Sequence, residues 1–192
     1  RDIFVRDLML GITHRISLAA GLTQTSNYSF APQFGGEDFV VFASVADEFV
    51  PGGGSGIENA VFRQITRADW ENYGNGFAGT NGIPVLGLEE EPVMGTNPGL
   101  VVENSWNYPT LSIGFVGLAP MDVPPTKVGA LLVDPFFWSP RRLHVGHNRF
   151  PLLLPHDEQN EGLSLYFQVV EVDPGSLLSL SFTRGLKMTL GW

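Results

Sequence analysis

Between Gly162 and Trp192, apolar and polar side chains alternate with a period of two. Leu163, Leu165, Phe167 and Val169 share one face of an extended chain. Leu178, Leu180 and Phe182 alternate with Ser179, Ser181 and Thr183, and Leu186, Met188, Leu190 and Trp192 alternate with Lys187, Thr189 and Gly191. Successive side chains of a strand point to opposite faces of a sheet, so this pattern predicts half-buried strands rather than helices. Asp173-Pro174-Gly175 has the residues of a turn, and Gly185 tolerates the positive φ that a second reversal needs. Three antiparallel strands are expected here, and the rest of the chain has to supply a sheet for them to join.

The rest reads in the same way. Its 23 glycines and 14 prolines are dispersed among apolar runs, which suits many short strands joined by tight turns. Strands are predicted over residues 38–45, 60–66, 85–88, 100–102, 111–118, 128–133 and 150–154. Phe136-Phe137-Trp138-Ser139-Pro140 reads as an aromatic turn, Pro51-Gly52-Gly53-Gly54-Ser55-Gly56 as a flexible loop, and residues 68–107 as largely irregular. Roughly nine or ten strands without a persuasive helix predict an all-β fold, an antiparallel β-sandwich of jelly-roll type. A chain of 192 residues is long enough to bury a core in a single domain, here residues 21–192 after an extended N-terminal strand at residues 1–20.

Charge and cysteine count narrow the function. Eleven basic against twenty acidic residues leave a net charge of −9, with no basic stripe to neutralise phosphates, so nucleic-acid binding is excluded. The absence of cysteine excludes disulfides and thiolate metal sites. No apolar run has the length of a bilayer-spanning helix. The chain opens on Arg1 without a methionine, which reads as a processed or partial chain.

The C-terminal part also carries a resemblance. Leu152-Leu153-Leu154-Pro155-His156-Asp157, Gly162-Leu163-Ser164-Leu165-Tyr166-Phe167-Gln168, Asp173-Pro174-Gly175 and Thr183-Arg184-Gly185-Leu186 follow in order, preceded by Gly129-Ala130-Leu131-Leu132-Val133-Asp134-Pro135. This order is similar to the β-rich closing module of exported proteins from planctomycetes and related bacteria. The likeness covers about the last eighty residues, and its motifs are structural. It implies export and a β-sandwich and carries no catalytic residue across. Arg184 stands where the module has a small polar residue, and the aromatic cluster at Phe136–Trp138 is not typical of it.

Candidate chemistry is sparse. His144 and His147, with His156, Asp157, Glu158 and Glu161 following, suggest a zinc or calcium site. Residues three apart on a strand face opposite ways, so a polar loop is the simpler reading. Glu89-Glu90-Glu91-Pro92 reads as a solvated acidic loop. Ser55 lacks the second glycine of a nucleophile elbow, and no Gly-Lys-Ser/Thr follows to make a phosphate loop. No metal, cofactor or catalytic residue is therefore assigned. Trp70, Tyr73, Trp106, Tyr108 and Trp138 offer either a sugar-stacking platform or, as aromatic residues more commonly do, core and interface packing.

The N-terminal segment carries the sharpest expectation. Leu8, Leu10, Ile12, Ile16 and Leu18 would share one face of a strand of about ten residues, twice the common length. Such a terminal strand could leave its own sheet and complete that of a neighbour. The sequence thus points to a non-enzymatic, extracellular or cell-surface protein that assembles with itself, as a filament subunit through strand exchange. A single jelly-roll viral coat protein is the alternative within that class. A carbohydrate-binding module, with polysaccharide as partner, is the alternative outside it.

Overall fold

The computed structural model describes residues 1–8, 11–19, 23–36, 39–50, 59–121 and 131–192. Leu10, the glycine-rich loop with Ser55 and the first half of the strand expected at 128–133 lie outside them. The protein is all-β, with 53% of the described residues in strands or isolated bridges, arranged as several antiparallel sheets. Among the described residues, the only helical turns are two short 3₁₀ segments, Asp47–Phe49 and Glu158–Asn160. No described helix is long and apolar enough to cross a membrane. Where one domain was expected, the chain forms two compact units, Arg1–Thr66 and Arg67–Trp192.

The first unit corrects the expectation for the N-terminus. Instead of one long strand, β1 (Phe4–Arg6) and β2 (Thr13–Arg15) form an antiparallel hairpin with Val5 opposite His14. The reversal comes from Gly11, which takes φ +69°, a conformation other residues adopt at a cost. Asp7 N–H donates to Ile12 O at 2.9 Å and Gly11 N–H to Asp7 O at 3.0 Å, closing the turn. Doubling back separates the presumed apolar face. Leu8 at the turn is 87% exposed, Ile12 is half-buried, and Ile16 and Leu18 are buried. Beside the hairpin lies a sheet in the order β3-β4-β5 (Ser29–Phe34, Phe39–Ser44, Asn59–Gln64). Strand β4 alternates as its sequence predicts, with Val40 and Phe42 inward. These join Ile3 and Ile16 in one core, so the hairpin is anchored to its own unit.

In the second unit, a six-stranded sheet runs β10-β9-β12-β14-β6, and β13 also pairs with β12. The strands are β6 (Asp69–Tyr73), β9 (Thr110–Pro120), β10 (Val133–Leu143), β12 (Ser164–Val172), β13 (Leu180–Phe182) and β14 (Gly185–Thr189). A three-stranded sheet runs β11-β8-β7 (His147–Pro151, Gly99–Glu103, Val85–Leu88). Leu86, Leu88 and Val102 from the smaller sheet join Leu143, Phe167, Val169, Leu186 and Met188 from the larger in one buried cluster. Full burial of each such side chain contributes about 1.5–3 kcal/mol.

Three closing strands form as expected and β14 matches the alternation, but β13 buries Ser181 between half-buried Leu180 and Phe182, the centre of β12 is buried on both faces, and Gly185 is not a turn residue. It opens β14 opposite Tyr73, and the Tyr73 ring occupies the space a Cβ would need. The expected aromatic turn at 136–140 lies inside β10, the longest strand together with β9. The stretch read as irregular contains β6.

Candidate functional site

The surface that departs most from an ordinary soluble sheet is the β9–β10 ribbon. Its register sets Trp138 opposite Phe115, Pro140 opposite Ile113 and Arg142 opposite Leu111, and β12 continues these rows with Gln168 and Val170. Alternation places these residues on one face. Leu111 and Trp138 are 65% and 61% exposed. Phe136 lies in a register shift between Pro135 and Phe137 and is as exposed as Leu111.

The local sequence explains why a strand carries two prolines here. Proline has no N–H to give a ladder and is tolerated on an edge strand or at a bulge, and β10 is an edge strand. Gly117 accommodates the bulge, because a Cβ there would run into the Asp134 carbonyl. In the first unit, Phe39, Val41 and Ala43 alternate away from the core, with Phe62 opposite Val41 and 71% exposed.

The five aromatic residues singled out in the sequence do not form one row. Trp70, opposite Met188, packs half-buried against the core of the second unit. Tyr73 lies opposite Gly185 on the other face of β6, donates its hydroxyl to Leu132 O at 2.7 Å and meets the Tyr166 ring edge-on. Burial, with a smaller contribution from Tyr166, pushes its phenol up to about 12. Trp106 and Tyr108 form a pair with ring centres 5.3 Å apart, tilted by 49°, in the connection after β8. Trp138 stands on the exposed ribbon.

The structure also assembles a buried polar cluster that sequence reading missed. Glu171 and Asp173 are 1% and 0% exposed. Glu171 Oε1 accepts from the Ser105 N–H and hydroxyl, each at 2.7 Å, and from the Ser181 hydroxyl at 2.8 Å. Asp173 accepts from Thr80 N–H and hydroxyl and from Gly175 N–H, and it shares the single Ser105 hydroxyl proton with Glu171. Burial pushes the Asp173 carboxyl up, but the hydrogen bonds from Thr80, Ser105 and Gly175 outweigh it and hold the group below its ordinary value. Gly79 must lack a side chain, since a Cβ would collide with Ser105 and Asp173. These carboxylates fasten the connections before β7 and after β8 to the end of β12.

The acidic and histidine runs meet at an exposed place. Glu89 Oε2 accepts from Arg149 Nε at 2.6 Å, and its Oε1 lies 3.0 Å from His147 Nε2. The Arg149 hydrogen bond, then that of His147, keeps the Glu89 carboxyl below its usual value. His144 is exposed elsewhere on the β10–β11 turn, and His156 packs against Trp192 with ring centres 5.8 Å apart. No group of three metal-ligating side chains comes together among the described residues.

Comparison with protein-family models, curated proteins and solved structures finds no match to this chain.

Proposed function

We propose that this chain is a non-enzymatic structural protein of the cell exterior. Its larger unit is a β-sandwich of jelly-roll type, and copies of the chain assemble through exposed sheet faces. One observation carries the reading: large apolar side chains, Leu111, Phe136 and Trp138 among them, stand more than half exposed on one ribbon. Exposed aromatic groups of this kind mark interaction surfaces. Covering one such ring removes on the order of 100 Å² of apolar surface from water, about 2.5 kcal/mol. The shared core of the two sheets in the second unit supports the sandwich, and the resemblance of its C-terminal part to an exported module supports an exterior location.

In this reading, copies meet face to face rather than by exchange of the N-terminal strand. Removing the hairpin would take Ile3 and Ile16 from the core they share with Val40 and Phe42. Pro135 and Pro140 oppose strand addition along β10. Sedimentation of the full chain from 1 to 200 μM tests the proposal. The wild type is expected to self-associate and the Phe136→Ser/Trp138→Ser variant to remain monomeric. A wild type that stays monomeric throughout would refute it, and electron microscopy of the assembly separates filament from shell.

The Trp106–Tyr108 pair, with Tyr108 62% exposed, favours one second reading, a polysaccharide-binding module. That reading expects a monomer retained on insoluble polysaccharide and released by Tyr108→Ala.

A further inference from the structure

The inner side of the β9–β10 ribbon holds a hollow of about 150 Å³, bounded by β9, β10 and β12 on one side and β8 and β11 on the other. Leu100, Val102, Val116 and Val169 make its walls apolar. The hollow is open to solvent where Phe137, 55% exposed, and Arg141 line it, and its volume is close to that of apolar cavities that accept a benzene ring.

Two glycines of β9 differ in a way that bears on this space. Gly117 is demanded by the bulge, as described above. Gly114 has no such cause: the nearest atom to a Cβ built there is the Ser139 carbonyl oxygen, 3.9 Å away. It sits opposite Val169 on one side and Ser139 on the other, facing the hollow. Glycine inside a strand weakens it and often marks the approach of another group. Here the missing side chain leaves open space within the hollow.

The groups around that space define what fits. Phe137, Phe150 and Phe167 line it from three different strands, and none is in ring contact with another aromatic residue among the described residues. Phenyl rings in this arrangement favour an aromatic guest, through edge and offset contacts. Arg141 follows Phe137 and Ser139 along the same face of β10 and lines the hollow, while its backbone carbonyl accepts from Ser112. Its guanidinium has no ion pair or hydrogen bond among the described residues, in a chain of net charge −9. A cation without a partner beside an apolar hollow complements one carboxylate.

We propose that this hollow binds a small monoanionic aromatic acid, its ring over Gly114 among the three phenylalanines and its carboxylate on Arg141. The site is independent of self-assembly: Leu111, Phe136 and Trp138, on which assembly rests, do not line the hollow.

Calorimetric titration of the full chain with 3-phenylpropionate, and with the neutral 3-phenylpropan-1-ol as comparator, tests it. The acid is expected to bind saturably with one site per chain and about ten-fold tighter than the alcohol. Arg141→Gln removes that preference without weakening the alcohol. Gly114→Leu fills the hollow and abolishes binding of both, and Gly114→Ala gives an intermediate loss that decides the matter if the leucine variant does not fold. The proposal is overturned if no saturable heat appears at 20 mM acid. Equal binding of acid and alcohol, or full affinity in a folded Gly114→Leu chain, also overturns it.

Discussion

Strands β12 and β10 belong to the same sheet and are of similar length, nine and eleven residues, yet their surroundings are opposite. Strand β12 is flanked by β9 on one side and by β14 and β13 on the other. Its central residues Phe167, Gln168 and Val169 are all buried. Even the polar one is matched, since Gln168 accepts from Leu132 N–H and donates to Thr183 O. Strand β10 has one neighbour, two prolines, a bulge and a run of three exposed aromatic residues. The difference teaches where each kind of change should register: in β12 and its partners as stability, in β10 as association or ligand binding with stability intact.

The comparison can be broken most forcefully at the centre. Leu186→Ala, on β14 where the residue is fully buried, is expected to destabilise the second unit by about 3–4 kcal/mol in chemical denaturation. A loss below 1 kcal/mol would mean that the shared core is not packed as described.

Asp173→Asn comes next, at about 2 kcal/mol, through loss of charge-assisted hydrogen bonds from Thr80, Ser105 and Gly175. Because the folded carboxyl is held below its ordinary value, its contribution is fully present above about pH 4 and is lost as pH falls through the lowered value. Melting followed between pH 6 and pH 2 should steepen downward in the wild type more than in the Asn variant. Parallel curves would assign the cluster no role in acid stability.

Trp138→Ser should change unfolding stability by no more than about 0.5 kcal/mol while weakening self-association at least ten-fold by sedimentation. A large stability loss would show that the ring is covered by its own chain. Smallest of all, Glu89→Gln should shift the denaturation midpoint only slightly, and less still at 1 M salt, because its partners Arg149 and His147 are exposed.

Much of the larger unit was legible because its pattern is local. The alternation of Leu186 and Met188 with Lys187 follows from the pleat alone, as does, in the first unit, the buried face of β4. What escaped depended on partners distant in sequence or on exceptions to local rules. Phe136–Pro140 reads as a turn because prolines rarely sit in ladders; the edge position and bulge that make them acceptable are tertiary facts. The N-terminal alternation is real, but a single positive φ at Gly11 doubles the segment back. Ser105 falls in the stretch that reads as irregular and Asp173 in a turn, and 66 and 68 residues separate Glu171 and Asp173 from the serine that joins them. The hollow is less legible still: it depends on Gly114 lacking a side chain at a point where two sheets face each other.

Strand β6 pairs with β14 across a separation illustrated by the Asn72 side chain donating to Gly185 O, 113 residues later. At ribosomal rates of roughly 5–20 residues per second, Asp69–Tyr73 would spend on the order of ten seconds without its partner. The larger unit therefore cannot complete its sheet as it is being made. Its nascent chain stays open until the closing strands have emerged, which leaves time for a chaperone or a translocation machine to hold it while it is still a thread.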